Sequence, residues 1–344
     1  MRIFIYSYPS LHINRGGPTY KTAMVFELMQ KLGADVHLFD MWDATQKLSS
    51  SDLFYVFTAN IGTYPLTVNL EAAGIRYVVN PIFYSNHSPS LIRLYRNLEK
   101  PFKSFFPRTQ SDYDLTERVC QGAELILPNT WAEQELLQKA LHLKNKKFQV
   151  IPNGVEKRFA DASPELFHKK FGLKDFVLYV GHLGPVRKNG LNIIKALQQI
   201  DVPCVVIADI LKNREGELCR QEMEKSSNIH YLGWVDHNDP LLASAYAACH
   251  TFVLPTRYET PGRAALEAGL AGANIVITPK GGTREYFSEY ALYPEPLQID
   301  SIVKTIRKSL DTAKNPLLRE RILQKYTWET VVADTLDILK TLYE

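Results

Sequence analysis

The stretch "PTRYETPGRAALEAGLAG", residues 255–272, sets two carboxylates eight positions apart: Glu259 ahead of a helical pattern and Glu267 inside it. Between them Thr260, Pro261, Gly262 and Arg263 form a helix start, whose amides and positive dipole end suit an anion. A carboxylate beside a phosphate is repelled, and an ionised carboxylate can only accept hydrogen bonds. Each glutamate therefore calls for a neutral partner that donates. Sugar hydroxyls do so in pairs, so a ligand with polyol at both ends and phosphate in the middle, a nucleotide sugar, fits the arrangement. The plainer alternative is a first-turn acid at Glu259 that favours the helix dipole and a solvated side chain at Glu267.

Three other loops between a strand-like run and a helix start carry unusual residues. "GHLGPVRKNG" crowds Gly181, His182, Gly184, Arg187 and Lys188 together, and two cations beside glycine-rich backbone suit a diphosphate as well as they suit a solvated surface pair. "NRGGPTYKT" offers Gly16 and Gly17, either for close backbone approach to a ligand or as a tight turn. "PKGGTREYF" adds Gly281, Gly282 and Glu285 on what would be the far side of the same pocket. The chain has neither G-x-G-x-x-G nor G-x-x-x-x-G-K-[ST], so dinucleotide and P-loop readings lose their main support. No metal is expected at the site.

The elements that must position these loops alternate between strand and helix. "RIFIYSY", "DVHLF", "LFYVF", "IRYVVN" and "ELILPN" read as strands of a parallel sheet, and "FQV" within "FQVIPNGVEKRF" as a further strand ahead of a turn. "PTYKTAMVFELMQKLG" reads as a helix with Met24, Val25, Leu28, Met29 and Leu32 on one face. After "PNG" the alternation starts afresh from "FVLYVG" to "NIVIT". The terminal "TWETVVADTLDILKTLYE" puts Val332, Leu336, Leu339 and Tyr343 on one stripe that needs an apolar surface from either half.

Bulk properties agree with two domains of this kind. The 344 residues exceed what one core usually serves, 45% are hydrophobic and 22% charged, and the net charge of +3 is too near balance to imply nucleic acid. The apolar run at the start is too short for a signal peptide or a membrane span, so a cytoplasmic protein is expected. Cys120, Cys204, Cys219 and Cys249 lack metal-ligand or C-x-x-C spacing and read as reduced, mostly buried thiols. Residues 91–108, "LIRLYRNLEKPFKSFFPR", interleave five basic residues and one acidic with Leu, Tyr and Phe, a composition that suits either peripheral contact with an anionic membrane or a solvated basic helix.

Taken in order, "GGPTYKTAMVFELMQKLGADVHLF", "LPNTWAEQELLQKA", "VIPNGVEKRF", "YVGHLGPVRKNGLNIIKAL", the long run from "IHYLGWV" to "NIVIT", "GGTREYF" and "YTWETVVADTLDIL" resemble the retaining glycosyltransferases of family 4, the group 1 glycosyl transferases. The resemblance implies a GT-B fold, with two doubly wound, Rossmann-like α/β domains facing across a cleft. It suggests an acceptor-binding domain over 1–155, a nucleotide-sugar domain over 156–326 and a C-terminal helix over 327–344 that crosses back. By the same resemblance the chain is a hexosyltransferase acting on a nucleotide-sugar donor and a glycan or lipid-linked acceptor, without cofactor or metal. Glu259 would meet the donor sugar, Glu267 the ribose, and Lys188 the diphosphate together with Gly16, Gly17 and the amides from Pro261 to Arg263. Two positions depart from the family pattern. His182 stands where the family usually has Arg, with Arg187 as a substitute, and Asn80 stands where many members carry His, with His87 the nearby acceptor-side alternative. The rival readings are a GT-B epimerase or phosphorylase and a degenerate nucleotide-sugar binder.

Overall fold

A computed structural model describes residues 1–13, 16–85, 87–105 and 110–342. Readings that fall on Asn14, Arg15, Arg108 or Tyr343 lie outside the described residues. The chain divides into two compact units, Met1–Gly154 with Trp328–Glu344, and Val155–Thr327.

The first unit runs β1 (Ile3–Tyr6), α1 (Gly17–Lys31), β2 (Val36–Leu38), β3 (Leu53–Phe57), α2 (Tyr64–Ala72), β4 (Arg76–Asn80), α3 (Pro89–Phe105), α4 (Asp112–Gly122), β5 (Leu125–Ile126) and α5 (Trp131–Ala140). Among the described residues its five strands pair in parallel in the order β2-β1-β3-β4-β5. Successive strand side chains point to opposite faces, so each strand feeds two cores. Ile3, Ile5, Tyr55 and Phe57 pack with Val25 and Met29 of α1, whereas Phe4, Tyr6, Phe54 and Val56 pack with Leu70, Val119 and Leu137 on the other side. Burying such a side chain stabilises the fold by roughly 1.5–3 kcal/mol, which is why β3, "LFYVF", is apolar throughout. Two details differ from the expected pattern. Leu32 lies past the last turn of α1 and is 52% exposed, and the "FQV" run forms no strand, since Phe148 makes only an isolated bridge to Ile126 of the two-residue β5.

The second unit runs α6 (Glu165–Phe171), β6 (Val177–Leu183), α7 (Gly190–Leu197), β7 (Cys204–Ile210), α8 (Arg214–Glu224), β8 (Ile229–Tyr231), α9 (Pro240–Ala248), β9 (Thr251–Leu254), α10 (Arg263–Leu270), β10 (Asn274–Ile277), α11 (Thr283–Phe287), β11 (Ala291–Leu292), α12 (Ile299–Leu310) and α13 (Pro316–Lys325). Its six strands, all parallel, are ordered β11-β10-β9-β6-β7-β8. Cys204, Cys219 and Cys249 are free and buried here, as Cys120 is in the first unit.

The terminal helix α14 (Trp328–Thr341) returns to the first unit. Trp328, Val332, Leu336 and Leu339 join Ile3, Ile5 and Val25 in one core, with Trp328 only 1% exposed. The chain passes so close to this indole that a Cβ on Gly154 would stand 2.4 Å from Trp328 Cδ2, so only glycine fits. No helix among the described residues is long and apolar enough to cross a membrane.

Candidate functional site

In open parallel sheets ligands bind beyond the carboxyl ends of the strands. In the second unit β9 lies between β6 and β10, so the loops after these three strands are neighbours. That order brings residues 181–189, 255–262 and 278–282 together from distant parts of the sequence. Asn189 ties the first two loops: it is 3% exposed and donates through Nδ2 to Pro255 O at 2.9 Å and Pro296 O at 2.5 Å. Arg257 N donates to Arg187 O at 2.9 Å across the same gap. The third loop joins through Glu259 N to Lys280 O at 3.1 Å and Gly282 N to Glu259 O at 3.1 Å.

These backbone ties hold Glu259 against two cations. Its Oε1 accepts from Lys188 Nζ at 2.8 Å and Arg187 Nη1 at 3.1 Å, and the Arg187 guanidinium also lies 5.4 Å over the Tyr258 ring. Burial works to raise the Glu259 pKa, but Lys188 and Arg187 outweigh it and hold the carboxylate below its ordinary value. The sequence reading had Glu259 facing a neutral ligand and the cations facing a diphosphate. Here the carboxylate and the two cations instead face one another, because the parallel β6 and β9 deliver them to the same spot.

Glu267, on α10, is likewise buried rather than solvated, at 2% exposure. Its Oε1 accepts from His237 Nε2 at 2.9 Å and Arg263 Nε at 3.2 Å, and its Oε2 accepts from Tyr246 OH at 2.9 Å. Burial again pushes its pKa up, and the His237 hydrogen bond with the Arg263 charge reverses this, leaving it below the ordinary value. Thr260, Pro261 and Gly262 lead into α10, with Gly262 accepting at its carbonyl from Ala265 N at 2.9 Å.

His182 sits at the end of β6 but turns away to stack on Trp234, with centroids 5.3 Å apart and planes 18° apart, and its Nδ1 is 3.8 Å from Asp209 Oδ2. Burial first and the Lys188 charge second lower its pKa, which disfavours its charged form. Gly181 lies within β6 beside the Tyr179 ring, whose OH donates to His182 O at 3.0 Å, and Gly184 packs on Leu211 and Asn213.

In the first unit, Gly16 and Gly17 open α1 and are exposed, with nothing within 4 Å of a Cβ built on Gly17. Asn80, read as an acceptor-side residue, is fully buried at the end of β4. Its Nδ2 donates to Leu127 O and, at 3.2 Å, to Asn129 Oδ1, while its buried Oδ1 has no hydrogen-bond partner. His87 is exposed, with Nδ1 3.0 Å from Tyr113 OH. Beneath these loops lies a cluster that local sequence did not signal. Lys21 is 3% exposed and donates to Asn129 Oδ1 at 2.5 Å, while Glu133, 2% exposed, accepts from Phe83 N and Asn129 N, each at 2.7 Å. Burial pushes the Lys21 pKa down to about 7 against the opposing pull of Glu133, and burial raises that of Glu133.

On α3, Leu91, Leu94, Tyr95 and Leu98 are exposed along one helical stripe. Arg96, counted in the sequence among the basic residues of this segment, is 4% exposed and paired with Glu99, Asp114 and Glu117. Among the described residues, no group of three or more His, Cys, Asp or Glu is placed to hold a metal ion.

Residues 165–325 match the family model described as glycosyl transferases group 1. The O-antigen chain mannosyltransferase B of Escherichia coli is 28% identical over 194 residues, covering 53% of this chain and 50% of that protein. The UDP-Gal:alpha-D-GlcNAc-diphosphoundecaprenol alpha-1,3-galactosyltransferase of the same organism is 28% identical over 229 residues, covering 61% and 57%. The chain thus spans about half the length of the curated relatives it matches. Among solved structures, sucrose-phosphate synthase from Thermosynechococcus elongatus superposes with a TM-score of 0.74 at 16% identity, covering 100% of this chain and 99% of that one. The UDP-forming alpha,alpha-trehalose-phosphate synthase from Burkholderia xenovorans gives 0.72 at 13% identity, with 100% of both chains covered. At such identities the likeness is one of fold: two parallel-sheet α/β units of the GT-B type.

Proposed function

We propose that this chain, whose residues 165–325 match the family model described as glycosyl transferases group 1, moves a hexose from a nucleoside-diphosphate sugar to an acceptor hydroxyl with retention at the anomeric carbon. The observation that carries the reading is the buried Glu259 held by Lys188 and Arg187 just ahead of α10, with Glu267 eight residues further on. In the proposed site the Glu259 carboxylate accepts from hydroxyls of the donor sugar. Lys188, whose ammonium has three N–H donors and spends one on Glu259, turns the others to the diphosphate. Charge builds on the departing diphosphate in the transition state, and fixed cations with helix-start amides stabilise it without reorganising. Because burial and the Lys188 charge disfavour the charged form of His182, that task falls to Lys188, Arg187 and the backbone N–H groups of Gly262 and Arg263 and not to the residue in the family's arginine position. Glu267 accepts from the ribose hydroxyls.

The relatives' names, an O-antigen mannosyltransferase and a galactosyltransferase acting on a diphosphoundecaprenol-linked sugar, favour a glycan or lipid-linked acceptor. The acceptor side belongs to the first unit, around His87. The exposed Leu91, Leu94, Tyr95 and Leu98 stripe of α3 supports peripheral contact with an anionic membrane, at the inner face in a cytoplasmic protein.

Incubation with UDP-, GDP- and ADP-hexoses, with and without sugar acceptors, tests the reading through release of nucleoside diphosphate. Release from one donor, abolished in Glu259→Gln, is the expected result. A donor that binds but is never cleaved makes the protein a binder, and turnover untouched by Glu259→Gln removes this site from the chemistry.

A further inference from the structure

We infer that His237 is the positioning residue of the second carboxylate: it holds Glu267 in the orientation from which that carboxylate takes ribose hydroxyls, an inference that rests on the donor site proposed above. His237 lies in the loop after β8, outside every glycine-rich or charged motif of the chain, yet it reaches a buried side chain on α10. Its ring is set from behind. Arg158 Nη2 lies 3.3 Å from His237 Nδ1, 2.7 Å from His237 O and 3.1 Å from Glu156 Oε2, and Phe159 meets the ring edge-on at 5.7 Å. Nδ1 has the Arg158 donor at 3.3 Å and Glu156 Oε2 at 3.6 Å, whereas Nε2 faces the Glu267 carboxylate, a group that accepts and does not donate. The proton is therefore on Nε2, which donates to Glu267 Oε1 at 2.9 Å. Arg263 Nε takes the same oxygen at 3.2 Å and Tyr246 OH takes Oε2 at 2.9 Å. An ionised carboxylate accepts about four hydrogen bonds, so with these three in place it keeps room for a further donor such as a ribose hydroxyl. Without His237, Glu267 would be free to turn about the Arg263 and Tyr246 contacts, and a hydroxyl would meet a carboxylate no longer aimed at it.

The test uses UDP, GDP and ADP and their 2′,3′-dideoxy forms, titrated calorimetrically into the full chain as wild type, His237→Ala and His237→Gln, with thermal melts of each. Wild type should favour the ribose form of at least one nucleotide. His237→Ala should weaken that form about tenfold, the size of a lost hydrogen bond to a charged group, and leave the dideoxy form within about twofold. His237→Gln, which keeps an N–H donor near the Nε2 position, should recover most of the loss. Equal weakening of ribose and dideoxy forms would mean a merely structural role. An unchanged ribose preference in His237→Ala would mean none, and either result overturns the inference alone. A wild-type protein that binds none of the six nucleotides overturns the donor-site reading and this inference with it.

Discussion

Replacing Gly281 by alanine should disable the site without touching any residue assigned to ligand. Gly281 has φ +92°, and a Cβ there would lie 2.1 Å from the carbonyl oxygen of Glu259. To reach the 3.0 Å that real contacts keep, the two backbones must separate by about 0.9 Å, and Glu259 O is the acceptor of Gly282 N at 3.1 Å. The shift therefore falls on the residue that Lys188 and Arg187 hold. A displacement of about 1 Å at a positioned group costs on the order of 100-fold in rate. The left-handed backbone adds about 1–3 kcal/mol of strain of its own, or about 2–4 °C of melting temperature per kcal/mol. Gly272→Ala separates the two effects: its φ is +95°, and nothing lies within 4 Å of a Cβ there. Melting curves and nucleoside-diphosphate release, measured side by side, should show both variants destabilised by similar strain and turnover lost in Gly281→Ala alone. Equal turnover in the two variants would refute the claim that the position of Glu259 governs the site.

Two further outcomes follow from the first unit. The folded-state pKa of Lys21 lies near 7 against an ordinary value of 10.5, so the cost of burying its charge is complete below about pH 7 and fades as pH rises to the ordinary value. Lys21→Met should accordingly raise the unfolding free energy at pH 6, by several kcal/mol at most, with the gain shrinking towards pH 10; a gain that does not vary with pH would show that the ammonium is not desolvated. Leu94→Asp with Leu98→Asp should abolish co-sedimentation with vesicles containing anionic lipid at low salt, where wild type is retained. If wild type stays in the supernatant at low salt, α3 is no membrane surface.

The fold was legible because parallel strands are covered on both faces, so "LFYVF" and "FVLYV" appear as unbroken apolar runs between helical periods. The same signal over-reached at "FQV", which is apolar but has only the two-residue β5 to pair with. At the site, Arg187, Lys188, Glu259 and Glu267 stood out because each lies in a short loop or helix start with its own pattern. Their mutual contacts did not, since the Lys188–Glu259 pair depends on β6 lying next to β9, a matter of strand order. His237, Tyr246 and Asn189 carried no local signal at all. They act through hydrogen bonds to residues 30, 21 and 66 positions away.

The central claim is that this chain cleaves a nucleoside-diphosphate sugar at a site organised by Glu259. It is tested most directly by following the anomeric proton of the transferred sugar by NMR in wild type and Glu259→Gln, using whichever of the UDP-, GDP- and ADP-hexoses stabilises the protein most. The account predicts a product of the same anomeric configuration as the donor in wild type and none in the variant. An inverted product, or equal turnover in both proteins, would contradict it.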